Sequence, residues 1–236
     1  MTLLELLIAV SLLSLLSVGL LVALRVGLDA FQRTDRRLLD NRRVARAQRI
    51  LEEQIAGFIP VVAECLAAPE APRVKMPFFQ GEPQSMRFVS AYSLAEGWRG
   101  YPRVLEYQVI PGEKGEGVRL VVNEHLYTGP LGAGAFCLGP GPDPLSGVPA
   151  PLFRPIEVGP ASFVLADRLA YCRFGYRESP PPPAPERWLA RWVLPQWPSA
   201  IRIEMAPLEP DRSKLQPIEL AAAVRVNKIP LTDYVD

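Results

Sequence analysis

The sequence predicts an α+β protein in which one long N-terminal helix packs on a β-rich, antiparallel head. None of the 26 prolines precedes Pro60, and because proline interrupts helices, a single helix can occupy residues 1–59. Residues 60–236 consist of short segments of alternating apolar and polar residues divided by Pro and Gly, which is typical of strands and turns. We therefore expect two structural regions with these bounds.

The first half of the predicted helix is apolar enough to cross a membrane. Residues 6–24 form a run of 19 without a charged side chain, and at about 1.5 Å per residue they span roughly 28 Å, close to the hydrocarbon thickness of a bilayer. A cleaved secretory signal is the alternative, but residues 2–4 carry no positive charge and no clear small-x-small cleavage motif follows. We predict one transmembrane helix over residues 6–24.

The helix is expected to continue beyond the membrane span. Apolar residues between Arg25 and Phe58 recur at three- and four-residue steps, which is typical of a helix with one buried stripe. Gly57 and Pro60 are its stop signals. The stripe comprises Leu28, Phe31, Leu38, Val44, Ala47, Leu51, Ile55 and Phe58. The second half of the helix should therefore pack on the head.

Seven arginines follow the predicted span within residues 33–49. They could contact nucleic-acid phosphates, but Asp35 and Asp40 are interleaved and no aromatic platform accompanies them. The charge of the whole chain is nearly balanced, with 26 basic and 25 acidic side chains, so no global field attracts a polyanion. We interpret the run as a solvated helical face and expect no nucleic-acid partner.

The head is predicted to be built from hairpins. Leu105–Val109 and Val118–Asn123 alternate apolar and polar residues, and the Pro/Gly-containing loop 111–117 joins them. Further strands are predicted at Met86–Ser90, Ala170–Arg177, Ala200–Met205 and Ile218–Val226, the last two as a second hairpin. The Pro/Gly-rich stretches Gly129–Pro160 and Pro180–Pro183 are interpreted as a surface loop and a rigid spacer.

The composition argues against an enzyme, a metal site or a cofactor. The chain has one histidine, His125, and three cysteines without a C-x-x-C pair, which removes most metal-ligand patterns and every His-dependent triad except one built on His125. Glu124 could support His125 as a general base, yet no nucleophile or second acid shares a motif with it. We interpret His125 as a surface or loop histidine and the chain as a binding or assembly protein.

Glu5 stands inside the apolar lead Met1–Val10, where an unpaired carboxylate is costly. The string MTLLELLIAV closely resembles the mature start of type IV pilins and type II secretion pseudopilins. The resemblance implies that Glu5 pairs with the N-terminal amine of a neighbouring subunit in a filament. It also implies that Met1, in place of the family's usual Phe, is exposed when a prepilin peptidase removes a short basic leader, and is then N-methylated.

Two C-terminal segments narrow the resemblance. In Trp188–Glu204, a Trp-containing stretch passes through a proline into an alternating strand. This segment and the preceding Leu169–Tyr176 resemble the J-type minor pseudopilin of type II secretion. The resemblance implies a pseudopilin head and a place in the tip complex that initiates a pseudopilus. Its implied partners are I-type and K-type minor pseudopilins, a major pseudopilin and the inner-membrane assembly platform. Three tryptophans can pack within the head or, where they are exposed, form a partner surface, because exposed tryptophans mark interfaces: Trp188, Trp192 and Trp197.

The resemblance also implies a single-pass protein of the inner membrane with its head in the periplasm. The arginines after the span oppose this topology, because the positive-inside rule would place the head in the cytoplasm. A basic leader would compete with them, and we follow the family topology.

A disulfide bond is permitted in a periplasmic head. Three pairings of Cys65, Cys137 and Cys172 are open, as is a set of three buried thiols. We prefer Cys137–Cys172, because Cys65 directly follows the long helix.

Two other functions are compatible with parts of the sequence. A W-type minor pilin of a type IV pilus shares the N-terminal helix and has a similar length, and the Trp-rich C-terminal segment and neighbouring genes would separate the two families. The alternative of a different class is a signal-anchored periplasmic binding domain or enzyme. The pilin-type start counts against it.

Overall fold

The computed structural model describes residues 3–66, 72–181, 183–208 and 218–224 of the chain. It confirms an α+β protein with an N-terminal helix and a mostly antiparallel sheet domain. By its internal contacts the chain divides into two compact units, which meet between Arg43 and Val44. Helix α1, Leu3–Ala56, runs through the first unit, and its residues from Val44 onward belong to the second.

Helix α1 ends beside the predicted stop signal Gly57. The Gly57 N–H donates to the carbonyl of Glu53 at 2.9 Å, and the chain then enters a two-residue strand against Ser90. A Cβ atom at position 57 would lie 2.8 Å from the Ser90 Oγ and 3.2 Å from the Tyr92 nitrogen. A side chain at this position would crowd Ser90 and Tyr92, which favours glycine where the chain leaves the helix close to the sheet.

Thirteen strands and one further α-helix, which is short, are described after α1. Their bounds are β1 Phe58–Ile59, β2 Val62–Cys65, β3 Val74–Pro77, β4 Gln80–Gly81, β5 Ser85–Ser93, β6 Trp98–Pro111, β7 Val118–Leu126, α2 Pro130–Gly134, β8 Cys137–Pro142, β9 Pro149–Phe153, β10 Phe163–Glu178, β11 Arg187–Leu189, β12 Ala200–Pro207 and β13 Ile218–Ala223. The main sheet has the order β1-β5-β6-β7-β10-β12-β13, with β4 added to β5 and β11 added to β10.

Both predicted hairpins are confirmed. Strands β6 and β7 pair antiparallel with Tyr107 opposite Val122, and residues 112–117 connect them through a single 3₁₀ turn. Strands β12 and β13 pair from Ala200 opposite Ala223 to Met205 opposite Ile218. The predicted last strand extends to Val226, which lies outside the described residues.

One face of the main sheet packs on the head-proximal part of α1. Ala47, Leu51 and Ile55 recur every four residues along the helix and are buried against inward-facing residues of the strands. On β12 the inward residues are Ile201, Ile203 and Met205, which alternate with Arg202 and Glu204 along the predicted strand. This face therefore holds the larger core.

The opposite face carries a smaller core that the sequence did not predict. The segment Gly129–Pro160, expected to be a surface loop, contains α2 and the β8–β9 hairpin, so that prediction is wrong for most of its length. Together with the β2–β3 hairpin these elements form what we call the lobe, which packs on Val89 of β5 and Val104 of β6. The spacer predicted at Pro180–Pro183 lies between β10 and β11, and its Pro182 is outside the described residues.

Candidate functional site

The N-terminal part of α1 exposes apolar side chains almost without interruption. Among the described residues one helical segment, Val10–Leu28, is long and apolar enough to cross a membrane, with a mean hydropathy of 2.1 and no part buried in the protein. It overlaps the span predicted at residues 6–24. By length and composition this helix therefore suits a single-pass anchor.

Three serines interrupt the apolar surface of this segment without leaving a hydroxyl unbonded. Ser11 Oγ donates to the carbonyl of Ile8 at 2.8 Å, and Ser14 Oγ donates to that of Ser11 at 2.9 Å. Ser17 Oγ donates to the carbonyl of Leu13 at 2.8 Å. Because the bonds stay within the helix, the hydroxyls are compatible with an apolar surrounding.

The two N-terminal residues with predicted roles are Met1 and Glu5. Met1 lies outside the described residues. Glu5 is a residue of α1, and the structure describes its backbone and not its side chain. Their predicted roles in processing, methylation and amine pairing remain predictions.

A buried polar cluster fixes the end of α1 on the sheet. Gln54 is fully buried, its Oε1 accepts a hydrogen bond from the Tyr107 hydroxyl, and its Nε2 donates to Glu124 Oε1 at 3.2 Å. Its backbone carbonyl accepts the Ser90 hydroxyl at 2.7 Å. Burial raises the pKa of Tyr107 well above its usual value, and the nearby Glu124 carboxylate raises it further, so the phenol stays a neutral donor.

Glu124 also orders the turn between β5 and β6. Its carboxylate accepts hydrogen bonds from the Ser93 hydroxyl at 3.1 Å, from the Ala95 N–H at 3.2 Å and from the Leu94 N–H. The same side chain thus links this turn to Gln54 of the helix. Glu124 was predicted only as a possible support for His125, because its cross-strand partners are not adjacent to it in the sequence.

The predicted disulfide Cys137–Cys172 is wrong, because the structure pairs Cys65 with Cys137. Their Cα atoms are 5.5 Å apart, and the bond joins the end of β2 to the start of β8 inside the lobe. Cys172 lies on β10 in the larger core, on the other side of the sheet, as a buried free thiol. Burial raises the pKa of Cys172 to about 12, which leaves the thiol protonated and unreactive.

A row of polar residues crosses the sheet beneath the lobe. Arg87 on β5 is opposite Glu106 on β6, which is opposite Asn123 on β7. Arg87 is 1% exposed and pairs with Glu106 at 2.6 Å, while Gln80 Oε1 accepts another of its N–H groups at 2.7 Å. Asn123 Nδ2 donates to the second oxygen of Glu106 at 3.2 Å.

The lobe completes the surroundings of Arg87. The carbonyl of Arg154 accepts a guanidinium N–H at 3.0 Å, and that of Phe136 accepts another at 3.4 Å. The rings of Phe136 and Phe153 both lie 5.6 Å from the guanidinium carbon. Burial lowers the pKa of Arg87, and the neighbouring Glu106 carboxylate opposes that shift.

His125 lies at the end of β7 and is half-exposed, as predicted for a surface histidine. Its Nε2 is 3.1 Å from Glu106 Oε2, and its ring lies 5.2 Å from that of Phe136. The partner is therefore Glu106 of the neighbouring strand and not the adjacent Glu124. His125 therefore contacts the sheet through Glu106 and the lobe through Phe136.

A second ionic contact joins the lobe to the Trp-rich segment. Arg191 pairs with Glu82 at 2.6 Å and with Asp143 at 2.8 Å. Asp143 follows β8 and also accepts the Ser146 hydroxyl at 2.6 Å. The hydrogen bond from Arg191, and to a smaller extent that from Ser146, holds the pKa of Asp143 well below its usual range.

The three tryptophans do not form one exposed surface. Trp192 and Trp197 are buried in the larger core, so the prediction of a partner surface is wrong for these two. The backbone N–H of Trp192 donates to the carbonyl of Gly81 at 2.7 Å. A Cβ atom at position 81 would lie 2.7 Å from the Cβ of Trp192, so the close approach requires glycine there. Trp188, on β11, is 37% exposed and remains a surface candidate.

Comparison with known proteins assigns no family to the chain. A scan against models of known protein families finds no match, and a search of curated proteins finds none. The functional conclusion therefore depends on the residues and their arrangement.

Proposed function

We propose that this chain is a J-type minor pseudopilin, a subunit of the tip complex that initiates the pseudopilus of a type II secretion system. The observation that carries the proposal is Glu5, the only charged residue before Arg25, in a string that resembles the mature start of pilins and pseudopilins. It lies on a helix that continues without a break to Ala56. An anchor whose helix extends into a β-rich head is the architecture that such a subunit requires.

Glu5 has a physical reason to seek a partner subunit. A carboxylate in an apolar helix is unfavourable in lipid and is stabilised when an ammonium group neutralises it. In the proposed filament that ammonium is the N-terminal amine of the adjacent subunit. The pair forms only on assembly, so Glu5 contributes to recruitment and not to the folding of the head.

The proposed location is the inner membrane, with one pass and the head in the periplasm. The Cys65–Cys137 disulfide supports this orientation, because such bonds persist in oxidising compartments and are rare in the cytosol. The arginines after the span argue the other way by the positive-inside rule. We give the disulfide more weight, since both of its cysteines are buried within the head.

The proposal is tested with the variant Glu5→Ala in the full-length chain, expressed in its native cells. We expect co-isolation with the other pilin-like subunits to fall at least about tenfold, the consequence of losing roughly 1.4 kcal/mol of pairing energy. The matched control is Glu52→Ala, which removes an exposed carboxylate from the same helix. Normal recruitment of the Glu5→Ala chain would overturn the pairing and the proposed function with it.

Mass spectrometry of the native N-terminal peptide provides an independent measurement. A Met1 terminus carrying one added N-methyl group is expected for a processed pilin-like subunit. An unmodified Met1 would contradict that processing and favour a simple signal anchor. Co-isolation with a type IV pilus instead of a secretion platform would identify the subunit as a W-type minor pilin.

A further inference from the structure

The outer face of the β8–β9 hairpin in the lobe is apolar. Exposed residues alternate with more buried ones along β8, and the exposed ones are Leu138, Pro140 and Pro142. Pro140 is opposite Pro151 of β9, and Pro142 is opposite Pro149. Because directly opposite residues of an antiparallel pair share one face, the four prolines and Leu138 lie on the same surface.

The turn between the two strands exposes further apolar side chains. Leu145 is 79% exposed and Val148 is 52% exposed. Single exposed leucines are common on proteins, whereas a continuous apolar surface indicates contact with another molecule or with a membrane. We call the outer face of β8 and β9, together with the turn 143–148, the apolar hairpin.

The apolar hairpin presents no charge to its surroundings. Residues 126–153 contain one charged side chain, Asp143, whereas 22% of the whole chain is charged. Asp143 is 4% exposed, and its carboxylate pairs with Arg191 at 2.8 Å. Ionic attraction therefore does not select the molecule that covers this surface.

The turn forms hydrogen bonds within itself. The N–H and the hydroxyl of Ser146 both donate to the Asp143 carboxylate, at 2.7 and 2.6 Å. The Asp143 N–H donates to the carbonyl of Val148 at 2.9 Å, and the Gly147 N–H donates to that of Asp143 at 2.8 Å. The five prolines within residues 140–151 have no N–H to satisfy. The apolar hairpin can therefore leave water at a small polar cost.

These features favour lipid over protein as the neighbour of the apolar hairpin. Protein interfaces carry about one hydrogen bond per 100–200 Å², and this surface offers few donors and no charge. A lipid surface requires apolar side chains and internally bonded polar groups. A bilayer is also close at hand, because the head continues from a helix whose candidate membrane span ends at Leu28, and such tethering raises the effective concentration of a weak contact.

We propose that the apolar hairpin inserts into the surface of the bilayer that anchors α1. Leu145 and Val148 enter at the turn, and the prolines of β8 and β9 lie along the lipid. Their rings stiffen the hairpin, so that little conformational entropy is lost on insertion. The inference goes beyond the proposed function, since it requires a membrane anchor and not a secretion system.

Photocrosslinking to lipid tests the proposal with the full-length chain in phosphatidylcholine nanodiscs, one chain per disc. p-Benzoylphenylalanine replaces Leu145 in one protein and Tyr101, which is 75% exposed on β6, in another. We expect at least about tenfold more lipid adduct from the Leu145 position, because burial of one leucine side chain favours partition by more than that factor. Equal yields at the two positions would overturn the proposal.

A carboxylate at the turn tests the apolar basis of the contact. Val148→Glu should lower the lipid adduct at position 145 at least about tenfold, because a charged group enters lipid at high cost. Val164→Glu is the matched control, since Val164 is 51% exposed on β10, outside the lobe, and should leave the yield unchanged. Both variants should still form the Cys65–Cys137 bond. An undiminished adduct in Val148→Glu would contradict apolar insertion.

Salt and lipid charge separate apolar insertion from ionic recruitment. Because the apolar hairpin presents no charge, the adduct yield should not change when the ionic strength is raised or when phosphatidylglycerol is added to the discs. A yield that rises with anionic lipid and falls with salt would assign the contact to basic residues elsewhere and overturn the proposal.

Crosslinking in the native membrane identifies competing occupants. An adduct of position 145 with another protein, or with a second copy of the chain, in place of lipid would overturn the lipid contact while the proposed function stands. Release of the chain by alkaline carbonate would overturn the membrane anchor and both proposals with it. Glu5→Ala should leave the lipid adduct in nanodiscs unchanged, so the two proposals can fail separately.

Discussion

The two faces of the main sheet are stabilised in different ways. Among the described residues, the core beneath α1 has 24 buried apolar residues, whereas the core beneath the lobe has nine. The lobe adds a disulfide bond and the Arg87–Glu106 ion pair, while the helix side has one polar cluster at Gln54. The large contact between α1 and the sheet is thus stabilised chiefly by apolar burial, whereas the small contact between the lobe and the sheet depends on the disulfide bond and the ion pair.

The largest effect is expected from Arg87→Ala, which would break the lobe side of this comparison. It leaves Glu106 buried without its cation, so the free energy of unfolding should fall by about 3–5 kcal/mol. Denaturant unfolding of the full-length protein in detergent, followed by tryptophan fluorescence, measures the change. The control Arg99→Ala removes an exposed arginine and should change it by less than about 0.5 kcal/mol.

The double variant Arg87→Met with Glu106→Leu sharpens this prediction. Replacing both charges by apolar groups removes the unpaired carboxylate, so most of the lost stability should return. If the double variant is as unstable as Arg87→Ala, the ion pair is not the source of the effect.

The disulfide should have the next largest effect. Replacing Cys65 and Cys137 by alanine is expected to lower the free energy of unfolding by about 2–4 kcal/mol, because the unfolded chain regains the freedom of a long loop. Reduction should lower the melting temperature of the wild-type protein and of Cys172→Ala, and leave that of the double variant unchanged. Equal sensitivity of all three proteins to reductant would refute the stabilising role of this bond.

Gln54→Ala tests the helix side. It removes the acceptor of the Tyr107 hydroxyl and one donor to Glu124, which should cost about 1–3 kcal/mol of unfolding free energy. Gln48→Ala is the matched control, since its amide donates to the exposed Glu52 on the same helix. A loss no larger than that of the control would mean that apolar burial alone holds α1 on the sheet.

The smallest effect is expected from Asp143→Asn, and it depends on pH. The pKa of Asp143 is lowered in the folded state, so its stabilisation is complete above its usual pKa of about 4 and is lost as the pH falls below that value. The difference in melting temperature between wild type and Asp143→Asn should therefore narrow from pH 6 to pH 3. The exposed-residue control Glu116→Gln should show no comparable narrowing. If the difference in melting temperature between wild type and Asp143→Asn is the same at pH 6 and pH 3, the ionised carboxylate is not its cause.

Local signals explain what could be predicted from the sequence. The stop at Gly57 and the β6–β7 hairpin follow from proline, glycine and strict alternation within short segments. The lobe escaped prediction because Pro and Gly break the alternation of β8 and β9, so their residues resemble a loop. Their strand structure depends on pairing and on the bond to Cys65, 72 residues from Cys137.

The buried polar and tryptophan side chains of the head could not be predicted from local signals either, because their partners are distant in the sequence. Arg87 lies on β5, and three of its four hydrogen-bond partners lie 19, 49 and 67 residues away along the chain. Trp192 and Trp197 were candidates for a partner surface, yet the segment folds back against Gly81 and the larger core. Of the three candidate tryptophans, Trp188 on β11 is the one that keeps an exposed ring.

The serines of α1 have a consequence for how its first residues can move. The hydroxyls of Ser11, Ser14 and Ser17 take their acceptors along with the helix, so exchanging lipid for protein neighbours breaks none of these hydrogen bonds. Among the first 24 residues, Glu5 is then the one side chain whose charge must be compensated anew. If the segment leaves a bilayer, as the proposed function requires, the electrostatic cost of the move is carried by the Glu5 carboxylate and the amine that pairs with it.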